Sequence, residues 1–264
     1  MSDASTIDPA WPGSRLRAVW ASGGATVNSF LSIPSAFTAE VMSRAGWDSL
    51  TVDLQHGLQD VLSMVACFQG MQATGTVPLA RLPANDPAII GKVLDLGAAG
   101  VICPMIDGPD DVRALVDACR YPPAGRRSNG PTRAGLYHPP LAYQRAANDA
   151  LIVLPMIETV AALESLESIA AVRGITGLYI GPTDLCLALG LEPRIDSDNP
   201  RVLEAYRRVV AAARANGIIA CMHCSDPLYA RRCIDMGFQF VTVGGDNSLM
   251  LKAATAAVSA LRGA

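Results

Sequence analysis

The sequence predicts a single (β/α)8 barrel of the α/β class, and three observations carry that prediction. Eight short apolar runs recur along the chain, each followed by a turn and then by a segment whose apolar residues have helical spacing. Several of the runs are apolar without alternation, as in strands covered on both faces of a parallel sheet. Eight such units fill 264 residues, and a barrel of this type is usually built from about 250. An open doubly wound sheet is the alternative that strand counting leaves.

Taken in order, the strands are expected at 18–21, 49–54, 77–81, 100–105, 151–157, 178–181, 218–222 and 240–243. Helices are expected at 36–45, 87–96, 110–119, 159–171, 201–216, 227–236 and 248–261. Asn85-Asp86-Pro87 opens one helix with a cap and a proline in the first turn, while Gly46, Gly97, Gly217 and Gly237 each follow a last turn. One stretch, 121–150, breaks the rhythm with Pro122-Pro123, Arg126-Arg127, Gly130-Pro131 and Pro139-Pro140. A connection of this length is expected to form a lid, a binding surface or a subunit contact. No second domain is visible: residues 1–16 read as an extension and 17–264 as the barrel.

Composition narrows the function. Charged residues make up 17% of the chain, with 24 acidic against 21 basic side chains and a net charge of −3. Without a Lys/Arg block there is no electrostatic footprint for nucleic acid or an anionic membrane. No apolar run approaches the ~20 residues that span a bilayer, and the polar N-terminus lacks the pattern of a leader. Both features lead to the expectation of a cytoplasmic protein. The seven cysteines are then expected to be reduced. Cys221-Met222-His223-Cys224 has a CxxC spacing, but one knuckle falls short of the four ligands of structural zinc. His223 and His138 read as a structural and a loop histidine. No GxGxxG, Walker A or GxSxG sequence is present, so no nucleotide cofactor is expected.

In such barrels the chemistry gathers where strands end. The strand ends here carry Asp53, Gln55 and His56, then Arg81, then Glu158, then Gly181-Pro182-Thr183-Asp184. Two carboxylates from neighbouring strands, without a cysteine set or histidine pair, make a hard oxygen site suited to Mg²⁺ or Mn²⁺. A cation held by two protein ligands leaves positions for a bidentate substrate and polarises its carbonyl. His56 is a candidate general base, since histidine is the side chain whose unperturbed pKa lies near neutrality, and Arg81 is a fixed cationic fork for a carboxylate or an enolate oxygen. Together they describe proton abstraction beside a carbonyl. The alternative electrophile, a Schiff-base lysine, has no candidate: Lys92 and Lys252 are the only lysines, and both fall within helical segments.

The same residues carry a resemblance. Val52-Asp53-Leu54-Gln55-His56, Ala80-Arg81-Leu82-Pro83 with Asn85-Asp86-Pro87, and Leu94-Asp95-Leu96-Gly97-Ala98 follow in order. They are followed by Tyr121-Pro122-Pro123-Ala124-Gly125-Arg126-Arg127, Met156-Ile157-Glu158-Thr159 and Ile180-Gly181-Pro182-Thr183-Asp184-Leu185. This series resembles the HpcH/HpaI aldolases, the metal-dependent class II pyruvate aldolases of the 4-hydroxy-2-oxoheptanedioate type.

The resemblance implies a lyase that reversibly cleaves a 4-hydroxy-2-oxo acid to pyruvate, or a related 2-oxo acid, and an aldehyde. It implies Glu158 and Asp184 as ligands of Mg²⁺, Mn²⁺ or Co²⁺, and Arg81 at the keto oxygen. His56 would be the acid/base group, supported by Asp53 and Asp95, and the turn at Gly181, Pro182 and Thr183 would receive the substrate carboxylate. It also implies a homo-oligomer, a hexamer built as a trimer of dimers, with C-terminal helices exchanged and a site shared with a neighbour. Leu54 and Gln55 depart from the commoner Asp-Gly-Glu-His form, which points to a changed donor preference, toward hydroxypyruvate. A CoA-thioester lyase of the malyl- or citryl-CoA type, or a non-catalytic oxo-acid or metal-binding protein, are the other readings.

Overall fold

The computed structural model describes residues 11, 13–137 and 141–263. Eight parallel strands close on themselves in chain order, with β8 paired back to β1. They are β1 (Thr26–Leu31), β2 (Ser49–Asp53), β3 (Val77–Arg81), β4 (Gly100–Cys103), β5 (Ile152–Ile157), β6 (Gly177–Ile180), β7 (Ile219–Cys224) and β8 (Phe240–Gly245). Among the described residues the helices are α1 (Ser14–Ala21), α2 (Ala36–Ser43), α3 (Val61–Met71), α4 (Pro87–Asp95), α5 (Pro109–Cys119) and α6 (Ala142–Ala150). They continue with α7 (Val160–Glu164), α8 (Leu166–Ala170), α9 (Pro182–Ala188), α10 (Pro200–Ala215), α11 (Pro227–Met236) and α12 (Asp246–Arg262). Proline opens α4, α5, α9, α10 and α11, where its missing N–H costs nothing.

The period-two geometry of a strand decides what faces the barrel axis. Phe30, Val77, Leu79, Ile102, Ile152, Leu154, Met156, Tyr179, Ile219, Cys221 and Phe240 form one buried cluster inside the barrel. The larger cluster lies between strands and helices. A polar chain crosses the interior: Asn28 donates to Thr242 (3.0 Å) and accepts from Ser49 (2.9 Å) and Thr51 (3.1 Å), while the Tyr179 hydroxyl bonds Thr242 (2.8 Å). Asn28, Ser49, Thr51, Thr242 and Tyr179 each find a partner in this run, which is what makes polar side chains tolerable in the barrel interior.

The first strand lies later than the sequence suggested. Residues 18–21 belong to helix α1, and β1 begins at Thr26. Leu16 and Trp20 stand one helical turn apart and are buried with the interior cluster, so α1 closes the floor of the barrel. Arg17 ties it down by donating to the Leu151 carbonyl (2.8 Å) and the Thr176 hydroxyl (3.2 Å). β1 was obscured because Asn28 and Ser29 interrupt its apolar run, and both are satisfied only across the sheet, to β8 and β2.

The long connection also differs from one expectation. Its described part lies at the floor end and holds a turn at Ala134–Tyr137 and helix α6. Tyr143 bonds the Leu94 carbonyl, Arg133 the Leu96 carbonyl, and the Ala150 carbonyl accepts from Arg17. Within one chain it is therefore no lid over the strand ends. His138 lies outside the described residues. Helix α3 was not anticipated either, although Asp60 and Ser63 cap it reciprocally.

Candidate active site

Asp53 and Arg81 are the last residues of β2 and β3 and stand opposite each other in register. In phase with Val77 and Leu79, Arg81 turns inward at the mouth of the barrel. It meets Asp53 through two hydrogen bonds, Nε to Oδ1 at 2.9 Å and Nη2 to Oδ2 at 2.6 Å. Asp53 Oδ1 also accepts the backbone N–H groups of Gln55 (3.1 Å) and His56 (3.2 Å). Burial would lift the Asp53 carboxyl, but the hydrogen bonds and charge of Arg81, with the two backbone N–H groups, hold it below its ordinary value. Asp53 thus fixes both the guanidinium and the turn that carries His56.

Phe30 completes this corner. The Arg81 guanidinium lies 4.5 Å above its ring centre, and the imidazole of His223 meets the ring edge-on at 4.8 Å. His223 lies on β7 in phase with the interior residues Ile219 and Cys221. Burial, and then the positive charge of Arg81, push its imidazole down to about 4 against the opposing pull of Asp53, so the ring is neutral near pH 7. Sequence reasoning set His223 aside as structural; the period-two count from Cys221 would have turned it inward.

Glu158 follows β5 directly and continues the inward series Ile152, Leu154, Met156. Its side chain is buried, and Oε1 accepts the backbone N–H of Met105 at 2.8 Å. Met105 holds a left-handed backbone (φ 53°) to make that bond. A Cβ at Gly181 would lie 1.9 Å from Glu158 Oε2, so only glycine admits the carboxylate here. Burial, together with the negative charge of Asp184, raises Glu158 to about 7 against the lowering influence of the Met105 N–H and of Arg81. Asp184 stands exposed in the first turn of α9, after Pro182 and Thr183.

His56 is exposed on its turn, while Gln55 is half-buried and its side-chain Oε1 is buried without a hydrogen-bond partner. Among the described residues no group of three or more His, Cys, Asp or Glu side chains is placed to hold a metal ion. A cation here would rest on the carboxylate pair Glu158 and Asp184. Their hard oxygens, and the proton affinity of Glu158, fit a divalent ion: a cation would relieve both the burial and the mutual repulsion.

Asp95 is not brought to this corner. It ends α4, at the floor side of the barrel, and bonds Arg127 Nη2 at 2.7 Å. Lys92 and Lys252 are exposed on α4 and α12. All seven cysteines are buried and free. A cavity of about 380 Å³ lies on the floor side, lined by Trp11, Arg133 and Tyr143. Converging polar groups, not enclosed volume, mark the candidate site. No helix among the described residues is long and apolar enough to cross a membrane.

A closed barrel with buried acid, arginine and histidine side chains converging on its strand ends defines a (β/α)8 enzyme. The HpcH/HpaI aldolase/citrate lyase model matches residues 27–253, and the chain belongs to that family. The chain is 34% identical over 248 residues to the hydroxypyruvate/pyruvate aldolase of Rhizorhabdus wittichii, covering 94% of this chain and 98% of the relative. It is 36% identical over 239 residues to the 4-hydroxy-2-oxovalerate aldolase of Rhodococcus jostii, covering 89% and 91%. Among solved structures, an HpcH/HpaI aldolase/citrate lyase family protein from Burkholderia cenocepacia superposes with a TM-score of 0.88. It is 29% identical, over 95% of this chain and 99% of the other.

Proposed function

We propose that this protein is a divalent-metal-dependent aldolase that reversibly cleaves a 4-hydroxy-2-oxo acid to pyruvate or hydroxypyruvate and an aldehyde. The observation that carries the reading is the buried Glu158 carboxylate, raised to about 7 beside Asp184 and facing the mouth that holds the Arg81–Asp53 pair. The relatives' activities support the substrate class. Glu158 and Asp184 would hold Mg²⁺, Mn²⁺ or Co²⁺, which when bound would polarise the 2-oxo group.

The chain's own residues supply the rest. The turn at Gly181, Pro182 and Thr183 receives the substrate carboxylate. Arg81, immobilised by Asp53 and Phe30, stabilises negative charge that develops on the 2-oxo oxygen as the C3–C4 bond breaks. His56 accepts the C4 hydroxyl proton; the C3–C4 electron pair becomes the enolate, the aldehyde departs, and the proton is returned to C3. Gln55, beside His56 on the same turn, is assigned to substrate binding; its amide oxygen is buried without a partner.

Asp95 and His56 lie at opposite ends of one barrel, so Asp95 serves His56 only from a neighbouring subunit. The working form is accordingly a cytoplasmic homo-oligomer, taken as a hexamer. Exposed apolar residues on α12, Met250 (57%), Leu251 (69%) and Leu261 (89%), support subunit contact through that helix. Borohydride with pyruvate should trap no adduct, and a chelator should abolish turnover that Mg²⁺, Mn²⁺ or Co²⁺ restores; a covalent pyruvate adduct would contradict the metal route. Mixing His56→Ala with Asp95→Asn subunits should regain activity that neither has alone, and no regain would refute the shared site.

A further inference from the structure

Asp246 is a buried carboxylate (2% exposed) that the mechanism above does not use, and it stands where β8 passes into α12. It is not the cap of its own helix: Gly245 is the N-cap residue, and its N–H is taken by the Ser248 hydroxyl at 3.0 Å. The Asp246 carboxylate turns instead to the loop that follows β1. Oδ1 accepts the Ser32 N–H at 2.8 Å, Oδ2 accepts the Ile33 N–H at 3.1 Å, and the Asn247 N–H adds a bond to Oδ1 at 2.8 Å. Among the described residues no cationic side chain pairs with it. A buried carboxylate balanced only by backbone N–H groups contributes a fixed geometry more than net stability.

A bulge brings it there. β1 and β8 pair Asn28 with Thr242 and then Phe30 with Gly245, so β8 carries one residue more, and Gly244 takes a left-handed backbone (φ 56°) within it. The ladder ends at this point, and the Asp246 carboxylate takes over the next two N–H groups after β1.

The loop so held carries the far end of the His56 turn. At its start that turn is tied to Asp53, through the Gln55 and His56 N–H groups. At its end the Leu58 N–H donates to the Ser32 carbonyl at 3.0 Å, and Gln59 Nε2 donates to the Ile33 carbonyl at 2.7 Å. A Cβ at Gly57 would lie 3.1 Å from Ser32 Cα, so the turn rests directly on that residue. Ser32 and Ile33 therefore each give an N–H to Asp246 and a carbonyl to the chain leaving His56. One aspartate fixes each end of the turn.

We propose that Asp246 is a positioning residue for proton transfer: through Ser32 and Ile33 it sets where the His56 imidazole stands over the mouth. This rests on the reading of His56 as the acid/base group. The Arg81 and Glu158 side chains bond Asp53 and the Met105 N–H, outside this loop, so substrate and metal binding should not depend on Asp246.

The test is a double-mutant cycle with His56, read by exchange of the pyruvate methyl protons in D₂O with Mg²⁺. Asp246→Asn keeps the size of the side chain and removes one acceptor oxygen. It should lower kcat for exchange about tenfold, the effect of one charge-assisted hydrogen bond, while KM for pyruvate and the affinity for Mn²⁺ stay within about twofold. In a His56→Ala background the same substitution should leave the residual exchange within about twofold, because the group it positions is gone. Should the amide variant not fold, Asp246→Ser reads the same cycle. An unchanged kcat, a KM that rises as far as kcat falls, or an equal loss in the His56→Ala background would overturn the assignment to Asp246 and leave the aldolase reading standing. Exchange as fast in His56→Ala as in the unmodified protein would overturn the reading of His56 and the assignment with it.

Discussion

Two buried arginine–aspartate pairs stand at opposite ends of this barrel. At the mouth, Arg81 takes Asp53 in a two-pronged grip and lies on Phe30. At the floor, Arg127 bonds Asp95 once at 2.7 Å and Tyr143 at 3.1 Å, and lies 4.6 Å above the Tyr121 ring. Both use the same chemistry: a planar cation, a carboxylate and an aromatic face. They differ in access. Arg127 has a fully buried side chain, and its Nε and Nη1 have no partner. Arg81 leaves its edge toward the open mouth, beside Glu158 and His223. Residue type makes a pair of this kind stable, and its level in the barrel decides whether it can meet a substrate.

The difference is tested most strongly by exchanging the arginines. Arg81→Lys keeps the charge but loses the fork and the stacking. It should lower kcat about 10²- to 10³-fold, as losing one preorganised donor does, measured by coupled assay of pyruvate release. Arg127→Ala should instead appear in stability, by about 3 kcal/mol in urea unfolding, because it empties a packed site and strips Asp95 of its ion pair. If the floor arginine proved neutral to stability, the contrast between a working pair and a structural pair would fail.

Gly181→Ala probes the same corner from the glycine side. Its Cβ would displace Glu158 Oε2, and the affinity for Mn²⁺, read by calorimetric titration, should fall about 10- to 100-fold. Unchanged affinity would remove Glu158 from the proposed ligand pair.

The smallest effect is a pH dependence. His223 titrates at about 4 in the folded chain against 6.5 ordinarily. The unfolded chain therefore binds the proton more readily between these values, and stability is lost as pH falls from 6.5 to 4. The contribution should be about 1–2 kcal/mol once the ring's partial exposure is allowed for. His223→Phe should remove that part of the slope in unfolding midpoints. Asp53, held below its ordinary 3.8, contributes stability that is lost only as pH falls below that value, so the two windows are separable.

Much of the site was legible because strands have a period of two. Val77, Leu79, Arg81 and Ile152, Leu154, Met156, Glu158 run as inward series whose last member is polar, and that change marks the mouth. β1 was less legible because Asn28 faces inward and is satisfied only by Thr242, Ser49 and Thr51 from other strands. Motif order singled out Asp95, yet helix geometry carries it to the far end, a displacement that residue spacing alone does not show. The CxxC spacing around His223 drew attention to sulfur, whereas phase with Cys221 is what turns its ring inward, edge-on to Phe30. The sequence left a lid, a binding surface and a subunit contact open for the connection at 121–150, because length says nothing about which end of the barrel a loop covers.

The central claim, that this mouth makes and holds an enolate by proton transfer at His56, is tested most directly by exchange of the pyruvate methyl protons. In D₂O with Mg²⁺, followed by proton NMR, the unmodified protein should wash out the methyl signal, and a chelator should stop it. His56→Ala should slow the exchange about 10²- to 10⁴-fold. Exchange that persisted undiminished in His56→Ala, or in the presence of the chelator, would contradict the account.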